Sequence, residues 1–89
     1  MAAAPIKKIL IADDEPDILE IVGYNLQKEG YEVHTAKNGD EAVDLAKKIK
    51  PVLLILDIIM PKKTGIEVCE ILRVQTAFKE TLIIFLTAM

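Results

Sequence analysis

Asp13 and Asp14 follow directly on the apolar run Ile9-Leu10-Ile11-Ala12, and Asp57 follows directly on a second run, Val52-Leu53-Leu54-Ile55-Leu56. Short, uninterrupted apolar runs suit strands buried on both faces of a parallel sheet. If both runs are such strands, three carboxylates meet at one sheet edge. That much negative charge in a cleft is costly unless compensated, and the compensator suited to oxygen donors is a hard divalent cation such as Mg²⁺. The residues therefore predict a Mg²⁺-dependent acidic site at Asp13, Asp14 and Asp57. A third run, Leu82-Ile83-Ile84-Phe85-Leu86, leads to Thr87 and Ala88, which would bring a hydroxyl and a small residue to the same edge. A lone Asp after a strand is more often a helix cap, and Asp13 or Asp14 could be that for a helix at Pro16. Asp57 resists this reading. Its helix already has a cap candidate in Thr64, and a carboxylate flanked by Leu56, Ile58 and Ile59 loses solvation that a surface aspartate would keep.

The elements that must position these groups alternate between strand-like and helix-like patterns, as parallel sheets with crossover helices do. The first strand is expected over Ile6–Ala12. Pro16 suits a first helical turn, and Ile18, Val22 and Leu26 recur at helical spacing until Gly30 offers a left-handed stop, which predicts a helix from about Pro16 to Glu29. Tyr31–Ala36 alternates as a strand does, and Asn38-Gly39 reads as a turn. Ala42, Val43, Ala46 and Ile49 form a second helical stripe, with Lys47, Lys48 and Lys50 near its C-terminal end and Pro51 closing it. The third strand is Val52–Leu56. Thr64-Gly65-Ile66-Glu67 has capping-box spacing and predicts a helix running to about Gln75. A short polar connection, Thr76–Thr81, precedes a last strand over Leu82–Thr87. The order is βαβαβαβ.

The 89 residues allow one domain, and 52% hydrophobic with 28% charged residues excludes a disordered chain. A net charge of -3, with lysines scattered as Lys7-Lys8, Lys47-Lys48-Lys50 and Lys62-Lys63, argues against direct nucleic-acid binding. A single cysteine, Cys69, rules out an intramolecular disulfide and a thiolate cluster, and its apolar neighbours make it a packing residue. No apolar run approaches the ~20 residues of a membrane span and residues 1–5 lack a signal-peptide core, so the expected location is the cytoplasm.

The motifs Ile9-Leu10-Ile11-Ala12-Asp13-Asp14-Glu15-Pro16, Leu54-Ile55-Leu56-Asp57-Ile58-Ile59-Met60-Pro61 with Gly65, and Ile84-Phe85-Leu86-Thr87-Ala88 occur in the order and spacing of one family. On them the chain resembles the receiver domain of bacterial two-component response regulators. The resemblance implies an α/β, doubly wound parallel sheet of the flavodoxin-like type, order 2-1-3-4-5. It also implies a phosphoryl switch and not a turnover enzyme: Asp57 accepts a phosphoryl group from a sensor histidine kinase or phosphotransfer protein. By the same resemblance, Asp14 is the direct Mg²⁺ ligand, Asp13 a ligand acting mainly through water, and Ile59 the donor of a backbone carbonyl. Thr87 is the hydroxyl that binds the phosphoryl group and moves on activation, and Ala88 leaves it room.

The sequence departs from the family pattern after its fourth strand. A full receiver has helices four and five and a fifth strand whose end carries a lysine for the phosphoryl oxygen, and none of these lies within the 89 residues. The expectation is therefore the N-terminal portion of a receiver domain over 1–89, order 2-1-3-4, with phosphoryl transfer impaired and strand four free to self-associate. Lys62 or Lys63 could approach the phosphoryl group from the neighbouring loop, but both read as solvated charges. A truncated receiver acting only as an interaction or assembly module is the alternative. A haloacid-dehalogenase-like phosphatase would need a second Asp two residues after Asp57, where Ile59 stands, and a dinucleotide-binding domain would need glycines where Asp13-Asp14-Glu15-Pro16 stands.

Overall fold

The computed structural model describes residues 5–86. Strand β1 (Lys8–Ala12), helix α1 (Pro16–Lys28), strand β2 (Glu32–Ala36), helix α2 (Gly39–Ile49), strand β3 (Leu53–Asp57), helix α3 (Gly65–Arg73) and strand β4 (Leu82–Leu86) follow one another, with a short 3₁₀ turn at Thr76–Phe78 before β4. All strands are parallel, and the sheet order is β2-β1-β3-β4. The expected doubly wound topology is present, with strand and helix bounds displaced by one or two residues.

Alternation along each strand divides the core into two layers. Leu10, Ala12, Leu54 and Leu56 point to one face and pack under α2 and α3 with Ala42, Ala46, Val68 and Leu72. Ile9, Ile11 and Ile55 point to the other, where Leu19, Val22 and Leu26 of α1 cover them. The alanines at Ala36, Ala42 and Ala46, all essentially inaccessible, let α2 lie close on the sheet. The α1 layer is the thinner one. Leu82 pairs in register with Leu53 and Ile84 with Ile55, yet Leu82 is 59% and Ile84 44% exposed because α1 does not reach β4.

Two local readings need correction. Asn38-Gly39 is not a free turn: Asn38 is the N-cap of α2, its side chain accepting from the Glu41 amide at 2.9 Å, and Gly39 is the first helical residue. The connection Thr76–Thr81 is not wholly polar in role. It folds through the 3₁₀ turn and inserts Phe78 into the core at 1% exposure, a burial that contributes up to about 3 kcal/mol. The capping box of α3 forms as expected, Thr64 Oγ1 accepting from the Glu67 amide and Glu67 Oε1 from the Thr64 amide. Cys69 is half-buried against the α2–α3 layer, as its neighbours implied. Among the described residues no helix is long and apolar enough to cross a membrane.

Candidate phosphoacceptor and metal site

From β1 the chain crosses to β2 on one side of the sheet, while β3 pairs with β1 on the other. The crevice between the C-terminal ends of β1 and β3 is therefore the switch point, where open α/β sheets bind ligands. Ala12 pairs with Leu56, so the residues that follow β1 and the last residue of β3 face each other across it. One carboxylate oxygen from each of Asp13, Asp14 and Asp57 lies within 4.8 Å of the others. Backbone register thus brings the residues of the expected acidic cluster to one place.

The three carboxylates are held differently. Asp13 is buried at 5% exposure, its own amide donates to the Ala36 carbonyl at 3.1 Å, and its Oδ1 accepts from the Glu15 amide at 2.9 Å. Glu15, not Asp13 or Asp14, is the N-cap residue of α1, and no side chain caps that helix. The helix-cap reading therefore fails for both aspartates. Asp14 is exposed, and Asp57 is half-buried. Burial pushes the Asp57 carboxyl up from its usual range. The neighbouring Asp13 charge adds to this, the amides of Ile59 and Ile58 partly oppose it, and Asp14 adds a further push upward.

The loop after β3 is fixed at both ends. The Ile58 amide donates to the Leu86 carbonyl at 3.3 Å, which ties the loop to the end of β4, and the Gly65 amide donates to the Ile58 carbonyl at 2.8 Å. Gly65 has no room for a side chain, since a Cβ there would overlap the backbone oxygen of Asp57 and stand 3.2 Å from the Ile58 Cα. The side chain of Ile59 is 79% exposed. Thr87, Ala88 and Met89 lie outside the described residues, so the expected hydroxyl at Thr87 is not part of the geometry described. Lys63 is a surface charge, as expected, but it has a partner. Its ammonium pairs with Asp40 at the start of α2, and that hydrogen bond holds its pKa above the usual lysine value. The 23-residue separation of the pair left no local signal in the sequence.

A carboxyl whose pKa is raised on folding destabilises the folded state above that pKa, and the cost fades as the pH falls through it. Asp57→Asn should therefore raise the melting temperature in EDTA at neutral pH. The gain should narrow on acidification and vanish below the ordinary aspartate value of about 3.9. Circular-dichroism melts across that range check this, and an Asp57→Asn chain no more stable at neutral pH than the wild type would contradict it.

The family described as "Response regulator receiver domain" matches residues 9–89. Over 69 residues the chain is 51% identical to the alkaline phosphatase synthesis transcriptional regulatory protein PhoP of Bacillus subtilis (strain 168), a match that takes in 78% of this chain and 29% of that protein's length. Among solved structures, the chemotaxis response regulator CheY4 of Vibrio cholerae is similar at a TM-score of 0.91 and 39% identity, covering 96% of this chain and 71% of that one. The response regulator TrrA from Thermotoga maritima, in complex with Mg(2+)-BeF, is similar at a TM-score of 0.86 and 45% identity, covering 94% of this chain and 71% of that one. With the sheet order, the acidic cluster at the switch point and a family match over nearly all of its length, the chain belongs to the response regulator receiver domains.

Proposed function

We propose that the chain is the phosphoacceptor module of a two-component signalling system, taking a phosphoryl group onto Asp57 from the phosphohistidine of a sensor histidine kinase or phosphotransfer protein. The observation that carries this reading is the meeting of Asp13, Asp14 and Asp57 at the β1–β3 crevice. The donor set fits Mg²⁺: hard oxygen donors, one of them buried, with the Asp57 carboxyl pushed up first by burial and then by the neighbouring Asp13 and Asp14 charges. Asp13, Asp14, Asp57 and the backbone carbonyl of Ile59 would hold the ion. When bound, Mg²⁺ offsets the charge that builds up between the attacking carboxylate and the phosphoryl oxygens. That the similar TrrA was solved in complex with Mg(2+)-BeF supports the assignment.

The chain's own residues do the rest. An Asp57 carboxylate oxygen attacks phosphorus, the bond from phosphorus to the donor imidazole nitrogen breaks, and the electron pair leaves with the ring. Asp13 is kept in place by the Glu15 amide and by burial, so one wall of the site does not have to reorganise. Thr87 is proposed to hydrogen-bond the phosphoryl group, and Ala88 to leave space for it. The activity is a switch acting on the chain's own aspartate. The test is incubation with a small-molecule phosphodonor and Mg²⁺, followed by intact-mass and peptide mapping: one phosphoryl group on Asp57 is expected, and labelling elsewhere or labelling unaffected by EDTA would overturn the reading.

Self-association through β4 also belongs to this proposal. Leu82-Ile83-Ile84-Phe85-Leu86 carries no charge or proline that would discourage edge pairing, and β4 is the outer strand of the described sheet. A polypeptide of these 89 residues is expected to form dimers or larger species at micromolar concentration. Sedimentation showing a folded, strictly monomeric species would refute this.

A further inference from the structure

The loop that carries Ile59 is also gripped from α2. The Gly39 amide donates to the Pro61 carbonyl at 3.1 Å, and the same oxygen accepts from the Lys63 amide at 2.9 Å, closing a three-residue turn around Lys62. Lys62 has φ 74, a conformation that side-chain-bearing residues adopt rarely. Turns of this hand are strained and persist where the surroundings over-determine them. Gly39 is part of those surroundings. It is buried, and a Cβ on it would overlap the Lys63 carbonyl oxygen and Cβ and lie 2.8 Å from the Lys63 carbonyl carbon. The next residue, Asp40, takes the Lys63 ammonium. Gly39 is not among the positive-φ residues, and as the first residue of α2 it occupies a position where alanine would suit the helix better. Helix propensity and the contact with Lys63 thus demand opposite residues, and the contact decides.

We propose that Gly39 is a positioning residue for the metal site: through its amide and its missing side chain, with Asp40–Lys63 as an outer clasp, the N-terminus of α2 sets the Pro61–Lys63 turn and thereby the Ile59 carbonyl. This inference rests on the Mg²⁺ site proposed above. Groups that orient a metal's ligands commonly change affinity about ten- to a hundredfold when lost, so Gly39→Ala should weaken Mg²⁺ binding about tenfold.

The test is calorimetric Mg²⁺ titration of the 89-residue chain and its variants, with melts in EDTA alongside. Gly23→Ala is the control, because Gly23 is also buried in a helix but its added Cβ would meet only Val33 Cγ1 at an ordinary 3.7 Å. Lys63→Met separates the clasp from simple electrostatics: deleting a cation should leave Mg²⁺ binding unchanged or tighten it, whereas opening the Asp40–Lys63 clasp should weaken it about twofold or more. Weaker binding in Gly39→Ala and Lys63→Met, with Gly23→Ala unchanged, supports the assignment. Wild-type affinity in a folded Gly39→Ala chain overturns it, as does an equal loss in Gly23→Ala. Should Gly39→Ala not fold, unchanged or tighter binding in Lys63→Met overturns it. A wild-type chain that binds no Mg²⁺ removes the metal site itself and this inference with it, whereas wild-type binding left intact by both variants removes only the inference.

Discussion

Asp57→Asn is expected to abolish phosphoryl incorporation from a small-molecule donor, a loss of at least about a hundredfold to the background of the assay. Asparagine has nearly the same shape, but its amide carries no charge and its nitrogen lone pair is delocalised, so nothing at that position can attack phosphorus. Asp57 is also the only one of the three clustered carboxylates that lies within a strand, in register with Leu86 of β4 and on the far side of the crevice from Asp13 and Asp14. No rotation of a neighbouring side chain supplies a substitute from the same place. Because the substitution removes a charge that burial and the Asp13 and Asp14 carboxylates disfavour, the fold is expected to survive it, and a melt of the variant separates lost labelling from unfolding. Intact-mass spectrometry checks the result, and equal phosphorylation of the Asp57→Asn chain would count against the assignment.

Asp14→Ala is expected to weaken Mg²⁺ at least about tenfold, since it removes one of three convergent charges from a site whose affinity depends on ligand charge count. Asp14 is exposed, whereas Asp13 is buried and commits an oxygen to the Glu15 amide. Loss of Asp14 therefore isolates metal binding from folding. Loss of Asp13 would strand that amide and mix the two effects. Calorimetry of the folded Asp14→Ala chain is the measurement, and unchanged affinity would reject Asp14 as a ligand.

Local chemistry determined most of the fold. The apolar runs at residues 9–12 and 52–56 read as strands covered on both faces, the run at 82–86 reads as a strand although Leu82 and Ile84 stay exposed on one face, and the Thr64–Glu67 box reads as a helix start because its two hydrogen bonds need only three residues. The convergence of Asp13, Asp14 and Asp57 was also legible, since residues at the carboxyl ends of neighbouring parallel strands must share an edge once the strand order is known. Tertiary structure alone decided what depends on distant partners. Phe78 lies in a polar stretch and became core only because the 3₁₀ turn folds it under the sheet. Asn38-Gly39 carries a turn signal at short range, yet the carbonyl of Pro61 and the backbone of Lys63 make Gly39 the place where α2 meets the loop after β3. Lys63 reads as a surface charge and is one, but that Asp40 stands beside it is visible only in the fold. A side chain's own periodicity records which face it occupies, whereas a contact between loops far apart in sequence leaves no periodic trace, and only the packed chain reveals it.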